Sequence, residues 1–478
     1  MELFDESTGI AVLLVYGIFA YAMTYWYSKG DDDTKESFLV ARRELNTFQV
    51  SLSVSAAWLW APGLFISAQQ AYVNGLVGLF WFCLGNFLTL GAFAYFAKRI
   101  RKLKPDGFTF SGYLKEKFSG RVQGLFLVEM MILATCAFAI NLIAGSKTVE
   151  TLTGLDAGLV SLIMVLVAIL YSFRTGLKAT VVTEMIKIIV VWLGAIILVP
   201  WVISSAGGWD VVVAGLGGKS MQGADIFGTP FAWGVFTGFG AAAFLGHMGG
   251  PWGDNSFYQR AFSIKEKSII PSFVLASFVF IVIPIMMGLL GFVAAGSGME
   301  IKNVGVTNAL VIAHFLPAWA SLFFMFMVFA GLVSILDSQF ASIANMTGHD
   351  IYNKFKRGNW SNEIHWARYG MIGLAVLALI VANIPGMTLL YLFLFFAVLR
   401  ASVWLPSMIT FIKPDLITEK GMFWGILIPA TIGEILFVSG KLGYTDTAFL
   451  GVLIAIFGSP LLSVGISKYQ KSYMLGYK

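Results

Sequence analysis

Ala57-Trp58-Leu59-Trp60-Ala61-Pro62-Gly63 interrupts an apolar run at the depth where a membrane helix should be most continuous, and Gly249-Gly250-Pro251-Trp252-Gly253-Asp254-Asn255 does the same in the second half of the chain. In hydrocarbon, a Pro or a Gly pair that frees backbone N–H and C=O groups is tolerated only where those groups line a cavity or meet protein partners. Matched breaks in two halves of a chain therefore point to a binding site at mid-membrane, the sequence sign of a secondary transporter.

The sequence around the breaks supports a bilayer setting. Hydrophobic residues make up 58% of the chain and charged residues 12%, and the mean hydropathy is +0.80. Soluble domains carry roughly 25% charged residues, so this composition implies a single all-α membrane domain over 1–478 with the lipid bilayer as its solvent. Apolar stretches of about 20 residues, enough to cross, fall at 8–28, 47–72, 76–97, 121–146, 155–173, 179–203, 230–252, 268–296, 318–346, 366–385, 388–412, 422–440 and 447–467. The hydropathy criterion thus gives about thirteen helices. The segment Val304 to Pro317 is too short to span and reads as a helix outside the membrane.

Charge sets the expected orientation. Of the 32 Lys and Arg, only Lys147, Lys219, Lys302 and Lys441 fall on one side of this topology; Lys187 and Arg400 are embedded deep in spans, and the other 26, with Arg121 and Arg368 near span ends, share the opposite side. Basic loops stay cytoplasmic, which puts the N-terminus outside and the C-terminus in the cytoplasm of a plasma or inner membrane. The net charge of +6 is then topology and calls for no nucleic-acid partner. Met1-Glu2-Leu3-Phe4-Asp5-Glu6 is acidic where a cleaved signal would be basic, so the first span is expected to be retained. Oligomeric state is not legible.

Enzyme chemistry finds little support. There is no CxxC, HExxH or phosphate-cradling GxxxxGK[ST] pattern, and His247, His314, His349 and His365 show no ligand spacing. Cys83 and Cys136 lie in apolar runs, where Cys behaves as a small hydrophobe. A channel or an uncoupled facilitator would share the polar interior. A membrane sensor would need a larger tail than follows Lys468.

The informative residues are the polar ones stranded in spans: Glu129, Glu184, Lys187, His247, Asp254, Asp337, Arg400 and Glu434. Each costs roughly 2.5–3.5 kcal/mol at the bilayer centre if it faces lipid, so each should face protein or water. Glu184 sits three residues before Lys187 on one helical face; it is either ion-paired to that lysine or part of a cation pathway. Ser334, Asp337 and Ser338 share a face by i, i+3, i+4 spacing and offer the hard oxygen ligands that suit a small cation. Trp58, Trp60, Gln69, Trp81, Asn86, Trp252, Asp254 and Asn255 lie near the breaks and combine aromatic walls with amide or carboxylate partners, as a pocket for a small polar solute requires. Single Trp residues also serve as interfacial anchors, and Asp254 could instead pair with Arg260.

From Phe38 through Ala341 the chain resembles the sodium:solute symporters. Phe38-Leu39-Val40-Ala41-Arg42-Arg43-Glu44-Leu45 is like the signature before their first core helix, and Asp337-Ser338-Gln339 leading to Asp350-Ile351-Tyr352 is like their eighth core helix and its exit. Trp58-Leu59-Trp60-Ala61, Phe80-Trp81-Phe82, Pro105-Asp106-Gly107-Phe108-Thr109, Glu150-Thr151-Leu152-Thr153-Gly154, Gly176-Leu177-Lys178-Ala179-Thr180 and Asp254-Asn255-Ser256-Phe257-Tyr258-Gln259-Arg260-Ala261 are similar to the urea and polyamine subgroup. The resemblance implies a LeuT-type core of two inverted five-helix repeats, 47–203 and 230–412, with a peripheral helix at 8–28 and two more over 422–467. It implies alternating-access symport of a small solute, urea foremost, with an amino acid, monocarboxylate or polyamine as alternatives. It also implies a Na+ site with backbone carbonyls from Leu52, Ser55 and Gly331, the Ser334 hydroxyl, and help from Asp337 or Ser338. Relatives carry two adjacent hydroxyls where this chain has Ser334 followed by Ile335, which leaves proton coupling open. Glu184 matches a position where relatives carry an Asp near the ion exit path.

Overall fold

The computed structural model describes residues 3–28, 34–173, 177–352, 360–443 and 447–476. Lys29, Arg174, Gly176, Lys354, Lys356, Arg357 and Lys478, which figured in the charge pattern or the motifs, lie outside the described residues.

Among the described residues the protein is helical, with a single isolated bridge, Leu45 to Ile264, in place of any sheet. With the short helices Lys35–Val40, Phe110–Lys117 and Trp209–Ala214 and the connecting turns left unlabelled, the helices are α1 (Glu6–Ser28), α2 (Thr47–Trp58), α3 (Ser67–Leu103), α4 (Gly120–Thr153), α5 (Ala157–Ser172) and α6 (Leu177–Ser205). The second half contains α7 (Pro230–Val235), α8 (Asn255–Phe262), α9 (Ile269–Gly296), α10 (Thr307–Phe315), α11 (Ala318–Asn345), α12 (Trp360–Ala382) and α13 (Leu389–Ile412). It closes with α14 (Glu419–Lys441), α15 (Ala448–Leu453) and α16 (Ser459–Gly476).

Both breaks are present. A capping box starts α2, in which Asn46 Oδ1 accepts from Gln49 N at 2.9 Å and Gln49 Oε1 accepts from Asn46 N at 3.0 Å. The helix stops at Trp58, because Pro62 lacks the N–H that would continue the ladder, and a single π turn over Pro62–Ile66 leads into α3. In the second half, α7 runs on through π turns at Phe236–Gly240 and Ala242–Gly246, then a 3-10 turn at Gly250–Gly253, before α8 resumes.

Ten helices among the described residues are long and apolar enough to cross a bilayer. The difference from the expected thirteen has three physical sources. As one straight helix the 37 residues of α3 would rise about 55 Å, nearly twice the roughly 30 Å of hydrocarbon, but the backbone breaks at Gly75 (φ +67). A Cβ at that position would lie 2.5 Å from the Leu216 carbonyl oxygen, so only glycine fits the bend. The α5 helix has 16 residues, and the segment from Pro230 is broken into pieces, so neither meets the length criterion. The Val304–Phe315 stretch is short, as expected, yet its Thr307, Asn308, Val311 and Ile312 are buried, so it packs down onto the bundle. Leu14, Ile18, Leu170, Leu193, Ile435 and Leu461 are exposed, an outer surface suited to acyl chains and not to water.

Candidate solute and cation site

Breaking a helix inside the bundle frees backbone groups, and side chains from other helices take them up. Asn141 of α4 accepts from Ala61 N at 2.9 Å, and Asn308 of α10 donates to the Leu64 carbonyl at 2.8 Å. Asn141→Leu should therefore destabilise the protein by roughly 1–3 kcal/mol, the cost of a buried donor left unsatisfied. A thermal unfolding scan in detergent that matches the wild type would contradict this role.

The two breaks face each other. A Cβ on Gly250 would lie 2.2 Å from Trp58 Cη2, so the second break is a glycine because the first break's indole fills that space. Gly249 sits against the α13 backbone, where a Cβ would come 2.2 Å from the Arg400 carbonyl oxygen. Trp58 meets Trp60 edge-on at 5.6 Å and Phe257 at 5.4 Å, while Trp60 stacks on Phe396 at 5.0 Å. The Arg400 guanidinium lies 4.3 Å from the ring centres of both Trp60 and Phe396 and 5.6 Å from that of Trp58. Cation–π contacts contribute about 2 kcal/mol or more when desolvated, enough to keep an arginine in a membrane interior. Hydrogen bonding is left incomplete. Arg400 Nε and Nη1, the indole nitrogens of Trp58 and Trp60, His247 Nε2 and Glu129 Oε1 are all buried without a protein partner. Such groups cost about 1–3 kcal/mol each when nothing meets them, so the cluster is chemically poised for a polar guest.

The expected solute residues divide by position. Trp58 and Trp60 form the box just described. Gln69 lines a cleft of about 490 Å³, together with Gln70, Asn74, Leu390, Leu394 and Lys441, on the face poor in Lys and Arg. Trp81 packs with Phe236 at 4.8 Å and Phe227 at 5.9 Å, apart from the box. Asn86 bonds back to the Phe82 carbonyl of its own helix at 2.8 Å. Trp252 is packing on the basic side, held among Phe93, Phe96 and Phe411. Asn255 is buried with both amide atoms unpartnered. Asp254 caps α8 through Ser256 N at 2.9 Å and accepts from Gln339 Nε2 at 3.1 Å, so the alternative pairing with Arg260 is corrected.

Arg260 is bonded to Glu184 instead. Its Nη2 donates to the two Glu184 carboxylate oxygens at 2.6 and 2.8 Å and to Ser338 Oγ at 3.0 Å, and its Nε donates to Ser53 Oγ at 2.8 Å. Ser53 and Ser338 also donate to Glu184. The partnership of Glu184 with Lys187 expected from spacing is thereby corrected: Lys187 forms its ion pair with Asp337, to which Ser172 Oγ also donates at 3.3 Å. Neighbours on one helix face can still point at different helices, and here α8 and α11 offered the better charges.

On the cation side, Ser334 Oγ is buried and has no hydrogen-bond partner. The other expected side-chain oxygens are engaged, Asp337 with Lys187 and Ser338 with Glu184. The Ser55 hydroxyl bonds the carbonyls of Ser51 and Ala276 at 2.8 and 2.9 Å, and its own carbonyl accepts from Leu59 N at 2.9 Å. Leu52 and Gly331 lie in the middle of α2 and α11. Among the described residues, no group of three or more His, Cys, Asp or Glu could hold a metal.

Asn141, Asn308 and Arg400 were not among the expected site residues. The signal for Arg400 was available: Phe393, Phe396 and Arg400 at i, i+3, i+7 put two rings and a charge on one face of α13.

This architecture matches the sodium:solute symporter family over residues 38–429, and the chain belongs to that family. It is 24% identical over 386 residues to "Probable urea active transporter 1" of Schizosaccharomyces pombe, covering 74% of this chain and 57% of the relative. It is 22% identical over 441 residues to "Urea-proton symporter DUR3" of Oryza sativa subsp. japonica, covering 84% and 61%. The chain thus spans about three-fifths of the length of these curated relatives. Its fold is shared with a Na+-coupled sialic acid symporter in a substrate-bound, outward-open state, at TM-score 0.78 and 16% identity over 97% of this chain and 98% of that one. The LeuT-type, all-α membrane fold is therefore shown.

Proposed function

We propose that the protein is a secondary active symporter that couples a cation, Na+, to uptake of urea by alternating access. The observation that carries this reading is the meeting of two broken helices at Trp58 and Gly250, with unpartnered polar groups gathered around them. Half-helix ends can orient a solute while freed carbonyls hold an ion, and only ligands that bind two states differently can drive their exchange. The names of the fungal and plant relatives favour urea as the solute. In this reading the repeats are 47–203 and 230–412, the peripheral helices are 8–28 and 422–467, the N-terminus is outside and the C-terminus cytoplasmic. Trp58, Trp60 and Asn255 contact solute, Gln69 serves the entry cleft, Glu184 serves the ion pathway, and Ser334 with the Leu52, Ser55 and Gly331 carbonyls receives the ion. Asp337 and Ser338 would join only after leaving their present partners.

The test is labelled urea uptake in proteoliposomes with sodium and proton gradients imposed separately. Accumulation above the external concentration under an inward sodium gradient is expected; uptake that merely equilibrates would mean a facilitator. A second reading, proton coupling, is favoured by the single hydroxyl at Ser334 beside Ile335 and by the name of the rice relative. Under sodium coupling, Ser334→Ala should raise the half-saturating sodium concentration by roughly tenfold, equivalent to about 1.4 kcal/mol. An unchanged sodium dependence would remove Ser334 from the ion site.

A further inference from the structure

We propose that Arg400 is the solute's anchor, donating from one of its two unpartnered edges, Nε or Nη1, to the carbonyl oxygen of a neutral, planar amide whose N–H groups are accepted by Glu129. The inference rests on the reading of the two breaks as a solute site and names the chemistry that site selects.

Four observations converge on it. Arg400 is fully buried, and both named nitrogens lack a protein partner. Trp58, Trp60 and Phe396 pack around the guanidinium, which pre-organises it for a planar oxygen acceptor. Gly253 is the point where α4 and α13 close on the second break: a Cβ there would lie 2.5 Å from Leu133 Cδ1 and 3.6 Å from Arg400 Cγ. Glu129 is one helical turn before Leu133 on α4, is buried, and has Oε1 unpartnered. An unmet acceptor and two unmet donors therefore belong to helices whose side chains meet at Gly253.

Charge decides between a neutral amide and a carboxylate. Asp254 is within electrostatic reach of Arg400, so the cation already answers one carboxylate. A carboxylate solute would add a further negative charge at low dielectric, whereas an amide adds none and offers N–H groups to the unpartnered Glu129 oxygen. Guanidinium shares urea's flat shape and N–H groups but offers no oxygen, and it would bring a second cation against Arg400.

The experiment uses the full chain in nanodiscs and proteoliposomes, with intrinsic tryptophan fluorescence as the binding readout and labelled urea uptake as the transport readout. The probes are urea, acetamide, guanidinium and acetate. Urea and acetamide should shift the wild-type fluorescence and the other two should not. Arg400→Gln should weaken amide binding by roughly a hundredfold, as loss of a hydrogen bond to a charged group does, and Arg400→Lys should restore only part of it. Should Arg400→Gln fail to fold, Glu129→Gln serves: it should raise the KM for urea and weaken urea more than acetamide, which has fewer N–H groups. Unchanged amide affinity in whichever variant folds would overturn the anchor, as would a wild type that binds acetate in preference to acetamide or responds to none of the four probes. A wild type that binds acetamide through Arg400 but neither binds nor moves urea would uphold the anchor and remove urea from the proposed function.

Discussion

Arg260→Gln is expected to abolish uptake and to lower stability by about 3–5 kcal/mol, the cost of leaving a buried charge without its counterion. Arg260 and Glu184 are both fully buried, and through Ser53 and Ser338 they join α2, α6, α8 and α11 at one place. Removing the guanidinium leaves the Glu184 carboxylate with hydroxyl donors alone. The double variant Arg260→Met with Glu184→Leu should be more stable than the single one, because no charge then remains to be solvated. Thermal unfolding in detergent reads both effects. A single variant as stable as the wild type would mean that the carboxylate is compensated in some other way.

Gly249→Ala should reduce uptake by roughly tenfold or more, in line with the 1–3 kcal/mol that overpacking a close-packed interior costs. The added methyl would lie 2.2 Å from a backbone oxygen of α13 and 3.1 Å from Trp404 Cβ, so no flexible side-chain end can move aside. The break would be pushed off the helix that carries Arg400. Gly373→Ala on α12, where a Cβ meets nothing within 4 Å, is the matched control and should transport normally. Equal activity in the two variants would show that the break tolerates displacement.

The breaks were legible because Pro and Gly act locally: Pro62 removes an N–H, and the glycines at 249 and 250 admit neighbours that a Cβ would exclude. Burial of the stranded polar residues was legible for the same kind of reason, since hydrocarbon leaves them no other place. Pairing was not. Glu184 and Arg260 lie far apart in sequence, and nothing in either segment indicates that α8 brings the arginine beneath α6 while Lys187 turns to α11. Trp252 adjoins Pro251 and so read as a pocket wall, yet the aromatic rings that enclose it come from α3 and α13, which periodicity within its own segment cannot reveal. Arg400 stood out as costly, but its stacking on Trp60 depends on the first break being where the fold puts it.

The ion pair of Lys187 with Asp337 has an electrical consequence. Asp337 lies one turn beyond Ser334 on α11, and its negative charge is already answered by the lysine. A cation settling beside Ser334 would therefore carry an unbalanced charge into the bilayer, and the loaded carrier would be electrogenic. Membrane voltage acts on such a charge with about 2.3 kcal/mol per 100 mV for a full crossing, so a polarised membrane, negative inside, would draw the occupied carrier inward.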